Sequence, residues 1–440
     1  MKRRAGTHAF LALAFCCWSH AAWGQQPTAN QTSGGGSQAG GTATRPATLD
    51  DTPPEAGDEE LSEPPAKLLK WNEFEGRRAT FRFGGGFLYE YAAYSQNEES
   101  KEQFALFPTR KLRDARFVFK GRLKFKRPMS WSTGIMWDAP TEKFLFRETG
   151  VMIDVPEIWG HIFIGRTKEG FSLNKVMVGY AGWTMERATI SDATIPILAD
   201  GIKWLGYVPE KRLIWNLGFY GDRFSEGQTF STYHHQVAGR IAWVPMESEE
   251  TGRVLHVGLN LRYGRADDGT LRLRSRPEAF PAPYFVDTGS FAVDNTRMAA
   301  IEAYYRPGPL LFGTEYFFQK ADAPESGNPL FHGGDVVMTW LATGETRVYN
   351  TRGGFFNQVS PARPVFHGGP GAWELVSRFS YIDLDSGALH GGRFWRFTPM
   401  VNWHLSDNVR LEMAYGYGSL DRFGLAGRTQ FFQTRLQLQL

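Results

Sequence analysis

The feature that most constrains the fold is an alternation of apolar and polar residues that recurs along most of the chain. From Leu255 to Tyr263, every odd-numbered position holds an apolar residue. The even-numbered positions hold His256, a glycine, Asn260 and Arg262. Successive side chains of an extended strand point to opposite faces, so each such segment predicts a β-strand with one apolar and one polar face. Roughly fifteen or sixteen such segments follow Phe81 with no long amphipathic helix between them, which predicts an all-β protein.

Two further details favour a transmembrane antiparallel β-barrel over a soluble sheet protein. The polar positions often carry Arg or Lys, and Trp and Tyr recur near the ends of the apolar faces, as in the aromatic girdles of membrane barrels. The alternation continues through the last residues, FFQTRLQLQL, so the final strand can pair with the first and leave no open edge in lipid. A barrel of about sixteen strands would enclose an aqueous channel. A secreted β-sandwich is the alternative, and it would require the apolar faces to bury one another.

The N-terminal residues predict export from the cytoplasm. A basic start, KRR, precedes a short apolar run and a set of small residues, so residues 1–24 are predicted to be a cleaved signal peptide. Both cysteines, Cys16 and Cys17, would leave with it, and the mature chain would have no thiol. Residues 25–70 are rich in Gly, Ser, Thr, Pro and acidic residues, which predicts a disordered low-complexity linker or, alternatively, a docking arm. Residues 71–440 form the predicted barrel domain, without an apolar run long enough for a membrane helix.

Composition and motifs argue against an enzyme and against a nucleic-acid binder. Lys and Arg number 49 against 46 Asp and Glu, and the formal charge of +3 is too small for bulk attraction to nucleic acid. The sequence has no G-x-S-x-G, H-E-x-x-H or G-x-x-x-x-G-K motif. The pair His234-His235 and the segment YIDLDSG predict turns or lumen features rather than metal sites, so no metal or cofactor is expected.

The clearest local charge feature is the segment TLRLRSRPE, residues 270–278, in which Arg272, Arg274 and Arg276 fall on alternate positions. In an extended chain these three guanidinium groups would leave the same side of the backbone. A row of this kind in a long loop at the mouth of a barrel would raise the local concentration of anions, since guanidinium donors match phosphate and carboxylate oxygens. Two alternatives stay open, namely solvated surface arginines and arginines that contact lipopolysaccharide phosphates.

Several segments together resemble the phosphate-selective porin O and P family. The most specific are GRTKEGFSLNK at residues 165–175, followed by WTMER, and GAWELVSRFSYIDLD at residues 371–385. HVGLNLRYG, LRLRSRPEAF, FVDTGSFAVDN and VNWHLSDNVRLEMAYGYG are similar to later parts of the family, so the likeness covers most of residues 71–440. The resemblance implies a trimeric outer-membrane barrel of about sixteen strands with a third loop folded into the pore. It also implies passage of anions, often phosphate or polyphosphate.

The same resemblance assigns roles to five basic residues. Lys175 aligns with the family's constriction-zone lysine, and Arg113 aligns with one of two adjacent eyelet arginines. Arg272, Arg274 and Arg276 align with the family's arginine ladder. These residues are therefore the predicted contacts of inorganic phosphate or other small anions. The protein is predicted to be a homotrimer that contacts outer-membrane lipid and lipopolysaccharide.

The sequence departs from the family pattern at several functional positions. Asp114 stands where the second eyelet arginine is expected, Gly86 replaces an early-strand arginine, and Glu148 is the nearest match for the constriction-zone carboxylate. Leu440 replaces the usual C-terminal aromatic residue. Loss of cations at the narrowest point weakens strict phosphate selectivity more than it weakens anion preference. The alternatives are therefore a general-diffusion pore and a plugged structural barrel.

Overall fold

The alternating segments form the strands of an antiparallel barrel. A computed structural model describes residues 71–138, 143–221, 233–248 and 250–440. The predicted signal peptide and linker lie outside these described residues. Among the described residues, the main sheet has 17 strands, one of which is the short Glu73–Glu75. The others, in chain order, are β1 Thr80–Gln96, β2 Thr109–Leu123, β3 Met129–Asp138, β4 Lys143–Val155, β5 Gly160–Thr167, β6 Ala199–Val208, β7 Leu213–Gly221, β8 Tyr233–Ser248, β9 Arg253–Ala266, β10 Asn295–Pro307, β11 Leu310–Asp322, β12 Leu330–Leu341, β13 Ala372–Ser386, β14 Leu389–His404, β15 Val409–Arg422 and β16 Leu425–Gln439.

The sheet closes on itself. Each long strand pairs with its neighbour in sequence, and β1 pairs with β16 from Gly86 opposite Gln439 to Gln96 opposite Thr429. Closure leaves no unpaired edge among these strands, which is the condition for a sheet to span lipid. The predicted fold class and strand number are therefore confirmed.

The two faces of the strands differ as the alternation predicts. On β9, Leu259 is 47% exposed on the outer surface, whereas the next residue, Asn260, is fully buried inside the barrel. The same contrast separates Leu261 from Arg262. A β-sandwich would bury its apolar faces, so the exposure of these side chains excludes that alternative.

The connections contain only short elements. The helices are α1 Glu98–Gln103, α2 Leu173–Val176 and α3 Thr189–Thr194. Short 3-10 turns cover Pro156–Ile158, Gly179–Ala181, Pro209–Lys211, Asp267–Gly269, Pro324–Ser326 and Val365–His367. Two-residue strands cover Thr270–Leu271, Arg274–Ser275, Val286–Asp287, Phe291–Ala292, Tyr349–Asn350 and Phe355–Phe356. In the described part of the chain, no helix has the length and apolar character needed to cross a membrane.

Two long connections lie at the same end of the barrel. Residues 168–198, here the inner loop, join β5 to β6, and residues 267–294, here the arginine loop, join β9 to β10. Bacterial barrels have short periplasmic turns and longer extracellular loops, so this is the extracellular end. The chain enters β1 and leaves β16 at the opposite end.

A third long connection, residues 342–371, joins β12 to β13 at the periplasmic end and is called the lower loop. The inner loop packs against both of the others inside the barrel. Phe171 and Ile190 of the inner loop share one buried cluster with Phe285 of the arginine loop. Trp183 shares a second with Phe356 of the lower loop, their ring centres 6.3 Å apart.

The structure therefore contains the predicted inward-folded loop and two further segments inside the barrel. The physical reason is the apolar content of these connections, because rings such as Trp183, Phe285 and Phe356 gain stability only when they are removed from water. A barrel this wide cannot be filled by the side chains of its own wall. Loop segments consequently supply much of the core.

Candidate anion site at the outer mouth

The arginine row has the geometry that its spacing predicts. Residues Arg274–Ser275 form a short strand that pairs with Val286–Asp287. Leu271, Leu273 and Ser275 are buried on one side of this segment, while Arg272 and Arg274 are exposed on the other. The buried leucines anchor the segment to the core, so the guanidinium groups project from a fixed backbone.

The row faces a carboxylate and two aromatic rings. The Arg272 guanidinium donates to both carboxylate oxygens of Asp287, at 2.8 and 2.5 Å. The guanidinium carbons of Arg274 and Arg276 lie 4.2 and 4.3 Å from the ring centre of Tyr284. A cation over a ring face is attracted by the ring quadrupole, which lowers the cost of holding two arginines close together.

Basic residues from β2 complete the group. Around the ring centre of Phe280 lie the Arg113 guanidinium at 4.5 Å, the Arg276 guanidinium at 5.4 Å and the Lys111 ammonium at 5.9 Å. The name mouth cluster is used below for Lys111, Arg113, Arg274, Arg276, Phe280 and Tyr284. Within the described residues, Lys111, Arg274 and Arg276 have no carboxylate at ion-pairing distance. The cluster therefore presents uncompensated positive charge at the extracellular mouth.

Arg113 differs from the other cations because it is paired. Its guanidinium donates to both carboxylate oxygens of Glu186 in the inner loop, at 2.7 and 3.1 Å. Arg435 on β16 also donates to Glu186. Burial alone would raise the pKa of Glu186, but Arg113 and Arg435 outweigh it and lower the pKa to about 2. Glu186 is thus ionised at neutral pH and offsets part of the charge of Arg113.

Lys175 lies apart from the mouth cluster. It belongs to α2, is only 5% exposed, and its ammonium group lies 3.3 Å from the backbone carbonyl of Ile195. Burial, together with the nearby Arg187, lowers its pKa to about 7. The ammonium group therefore gains or loses its proton close to neutral pH. Its predicted role at a constriction stays a prediction.

The departures from the family pattern have local structural consequences. Asp114 accepts from the Arg116 guanidinium at 2.9 Å and lies 3.7 Å from that of Arg147, so it offsets charge on the barrel wall. A side chain at Gly86 would overlap the ring of Tyr180, which comes from the inner loop. Glu148 lies 3.3 Å from the Arg147 guanidinium, its neighbour in sequence.

Other arginines inside the barrel hold the inner loop by its backbone. Arg347 donates to the carbonyl of Ala181 at 2.8 Å, and Arg410 donates to that of Gly182 at 2.7 Å. Arg378 donates to the carbonyl of Glu186 at 2.8 Å. These guanidinium groups supply hydrogen-bond donors to backbone carbonyls of a segment that is removed from water. Much of the interior basic charge is therefore structural.

Carboxylates of β10 and β11 bind the start of the same loop. Glu302 accepts from the backbone amide of Leu173 at 2.8 Å, and Glu315 accepts from that of Asn174 at 2.8 Å. Glu302 is in turn paired with Arg240 at 2.7 Å. The inner loop is thus held near its start by anions on its amides and in its middle by cations on its carbonyls.

Sequence reasoning identified Arg113, Arg274 and Arg276, which the structure brings together, but it missed Lys111, Phe280 and Tyr284. The two aromatic residues belong to the segment FPAPYF, directly after the arginine row, and this proximity was the available signal. Lys111 is two residues from Arg113 and shares its side of β2. Nothing in the sequence indicates that β2 and the arginine loop meet.

Comparison with known proteins identifies the family. Residues 81–440 match the family described as phosphate-selective porin O and P. The chain belongs to this porin family. Membership confirms the resemblance, places the porin in the bacterial outer membrane, and indicates a channel protein rather than an enzyme.

Curated relatives of the porin match over part of their length. An uncharacterized protein of Caulobacter vibrioides is 28% identical over 182 residues, which cover 40% of this chain and 36% of that protein. Porin O of Pseudomonas aeruginosa is 25% identical over 213 residues, which cover 42% of this chain and 47% of that protein. The porin thus matches less than half of the length of these relatives.

Solved structures share the barrel at low sequence identity. In-vitro folded OmpT of Vibrio cholerae has a TM-score of 0.54 and 11% identity, covering 84% of this chain and 99% of that one. The outer membrane channel DcaP of Acinetobacter baumannii has a TM-score of 0.52 and 8% identity, covering 83% and 99%. At these identities the likeness concerns the fold alone.

Proposed function

We propose that this porin conducts small anions across the outer membrane, with phosphate or polyphosphate as the preferred solutes. The observation that carries the proposal is the uncompensated charge of the mouth cluster, in which Lys111, Arg274 and Arg276 lack carboxylate partners among the described residues. Neighbouring cations repel one another, and an anion between them relieves that repulsion. The family's description as phosphate-selective supports the same solute class.

Transport in this proposal is diffusion without a chemical step. The exposed Arg274 raises the anion concentration at the mouth, whereas the charge of Arg272 is offset by Asp287. Arg276, Arg113 and Lys111 then replace part of the anion's water shell beside the Phe280 ring. Each contact stays modest so that the anion can leave, and the concentration gradient sets the direction of net flow.

Lys175 acts in this proposal through its electric field rather than by contact. Its ammonium group is buried in the inner loop, so an anion meets the loop surface before it meets the charge. Charges in a low-dielectric setting act over longer distances than charges in water. Protonation of Lys175 would therefore favour anions in the adjacent part of the lumen.

Anion preference is better supported than strict phosphate selectivity. Asp114 offsets the charge of Arg116 and Arg147, and Glu186 offsets that of Arg113. Carboxylates at these positions reduce the binding of a multiply charged anion more than that of a singly charged one. We accordingly propose a graded preference in which phosphate is favoured but chloride also passes.

We also propose that the porin assembles as a homotrimer whose outer surface contacts outer-membrane lipid and lipopolysaccharide. One structure of Vibrio cholerae OmpT, with a TM-score of 0.52 and 11% identity to this chain, is described as a trimer form. The band of exposed apolar side chains around the barrel, with Leu259 and Leu261 as examples, suits contact with acyl chains.

The proposal is tested by the block of chloride current by phosphate in planar bilayers. Wild-type porin should show a current that falls as phosphate is added, because the slower anion occupies the same site. A triple variant, Lys111→Gln with Arg274→Gln and Arg276→Gln, should require far more than tenfold as much phosphate for the same block, because each lost cation alone is expected to weaken the binding of the divalent anion by roughly 15-fold. Arg253→Gln, an exposed arginine at the opposite end of β9, is the matched control and should behave as wild type. Equal phosphate sensitivity in all three proteins would reject the mouth cluster as the anion site.

A plugged structural barrel is the second candidate, favoured by the three loop segments packed inside the lumen. Absence of single-channel conductance from protein that shows the heat-dependent mobility of a folded barrel would establish it. Measurable conductance from the same preparation would exclude it.

A further inference from the structure

The outward face of the barrel carries a pair of cations that the transport proposal does not use. Arg297 on β10 and Lys320 on β11 are direct cross-strand neighbours near the extracellular end, and both side chains are exposed. They are called the rim pair. Within the described residues neither forms an ion pair, since Lys320 donates to the backbone carbonyl of Asn328 and the nearby Asp322 accepts from Asn295. Like charges directly opposite on a sheet repel, and no ion pair among the described residues relieves the repulsion within the rim pair.

The surface is indented directly below the rim pair, toward the membrane centre. Ala299 follows Arg297 on the same outward face and lies between Leu261 and Phe318 of the adjacent strands. One strand further on, Gly239 lies opposite Leu261. Small residues between large ones leave a groove of about 590 Å³, lined mainly by apolar side chains and bounded at its outer end by the rim pair.

Groove and rim pair together have the chemistry of a site for a phosphorylated lipid. Guanidinium and ammonium donors suit phosphate oxygens. The apolar groove suits an acyl chain, and its volume is in the range of sites that hold small molecules. The rim pair lies at the extracellular end, where the outer leaflet of a bacterial outer membrane presents phosphorylated glycolipid headgroups. Free phosphate would use the cations but leave the groove empty.

We propose that this groove binds a phosphorylated, multiply acylated glycolipid of the outer leaflet, of the lipid A type. A phosphate of the headgroup accepts from Arg297 and Lys320, and one acyl chain lies over Ala299 between Leu261 and Phe318. The site is on the outside of the barrel, so its occupancy is independent of anion conduction through the lumen.

Titration of the purified full-length protein with bisphosphorylated lipid A, followed by native mass spectrometry, tests the proposal. The double variant Arg297→Gln with Lys320→Gln should weaken lipid A binding about 25-fold, roughly fivefold for each cation near an anionic headgroup. Ala299→Trp fills the indentation and should weaken binding about tenfold, the effect of about two lost methylene contacts. Dephosphorylated lipid A should bind the wild-type protein as weakly as bisphosphorylated lipid A binds the double variant.

Arg393→Gln is the matched control. Arg393 is an exposed arginine near the same rim, but Asp421 accepts from it at 2.7 Å, and its lipid A affinity should stay within about twofold of wild type. Wild-type affinity in the double variant would overturn the proposal. Displacement of lipid A by millimolar inorganic phosphate would also overturn it, in favour of a phosphate site without the groove. Loss of oligomer rather than lipid in Ala299→Trp would instead identify the groove as a subunit contact.

Discussion

Replacement of Arg276 by Gln is the most informative single change in the mouth cluster. Its guanidinium carbon lies 4.3 Å from the ring centre of Tyr284 and 5.4 Å from that of Phe280, so Arg276 is the cation that both rings share. Glutamine keeps a long polar side chain and removes the charge. The substitution therefore tests the charge of the cluster with little change in its shape.

The expected loss can be worked out from these distances. Arg113, Arg276 and Lys111 lie 4.5, 5.4 and 5.9 Å from the centre of the Phe280 ring, and we take about 5 Å as the distance between one of these cations and an anion bound beside the ring. Two unit charges about 5 Å apart in water interact by about 0.8 kcal/mol. Loss of one cation should therefore lower the occupancy of a monovalent anion roughly fourfold and that of divalent hydrogen phosphate roughly 15-fold.

The assay is a pair of bilayer measurements on wild type and Arg276→Gln. The zero-current potential under a potassium chloride gradient gives the chloride preference, and the phosphate concentration that halves the chloride current gives phosphate binding. Salt should stay near 0.1 M or below, because the Debye length there is about 10 Å. Arg253→Gln again serves as the control for loss of an arginine outside the cluster.

If Arg276→Gln lowers the chloride preference and the phosphate binding by the same factor, a charge effect is refuted, because a change in shape does not depend on the charge of the solute. It is also refuted if neither quantity changes, because the anion path would then avoid the cluster.

Three other substitutions test separate parts of the account. Glu186→Gln removes the carboxylate that offsets Arg113, and the zero-current potential should shift toward stronger anion preference by roughly the effect of one charge. Burial lowers the pKa of Lys175 to about 7, so its charge is present below that pH and lost above it. Anion preference should consequently fall between pH 6 and 8 in wild type and stay level in Lys175→Met. Gly86→Ala forces Tyr180 aside and should cost about 1–3 kcal/mol, seen as a lower melting temperature; the same change made in a Tyr180→Ala background should lower the melting temperature no further, because the overlapping ring is gone.

The barrel was predictable from the sequence because its signal is local. Each strand carries its own alternation of apolar and polar residues, so the apolar Leu259 beside the polar Asn260 already indicates which face meets lipid. The common direction of the arginine row is local for the same reason, since Leu271 and Leu273 mark the buried side of an extended segment. The number of strands could be predicted by counting the segments in which apolar and polar residues alternate.

The interior of the barrel was only partly predictable because it depends on contacts between distant segments. Lys111 and Phe280 are 169 positions apart in the chain, and no periodic pattern in the sequence indicates that they are in contact. The burial of Lys175 is likewise set by its packing within the inner loop, whereas its sequence alone favours an exposed lysine. The lower loop has no repeating pattern, and its inward course is set by Phe356 packing against Trp183.

The zero-current potential of wild-type porin under a tenfold potassium chloride gradient tests the central claim most directly. Uncompensated cations at the mouth predict a potential with the sign of chloride selectivity, which grows as the salt on both sides is diluted because screening weakens. A potential of the opposite sign, or one that is close to zero and independent of salt, would contradict the account.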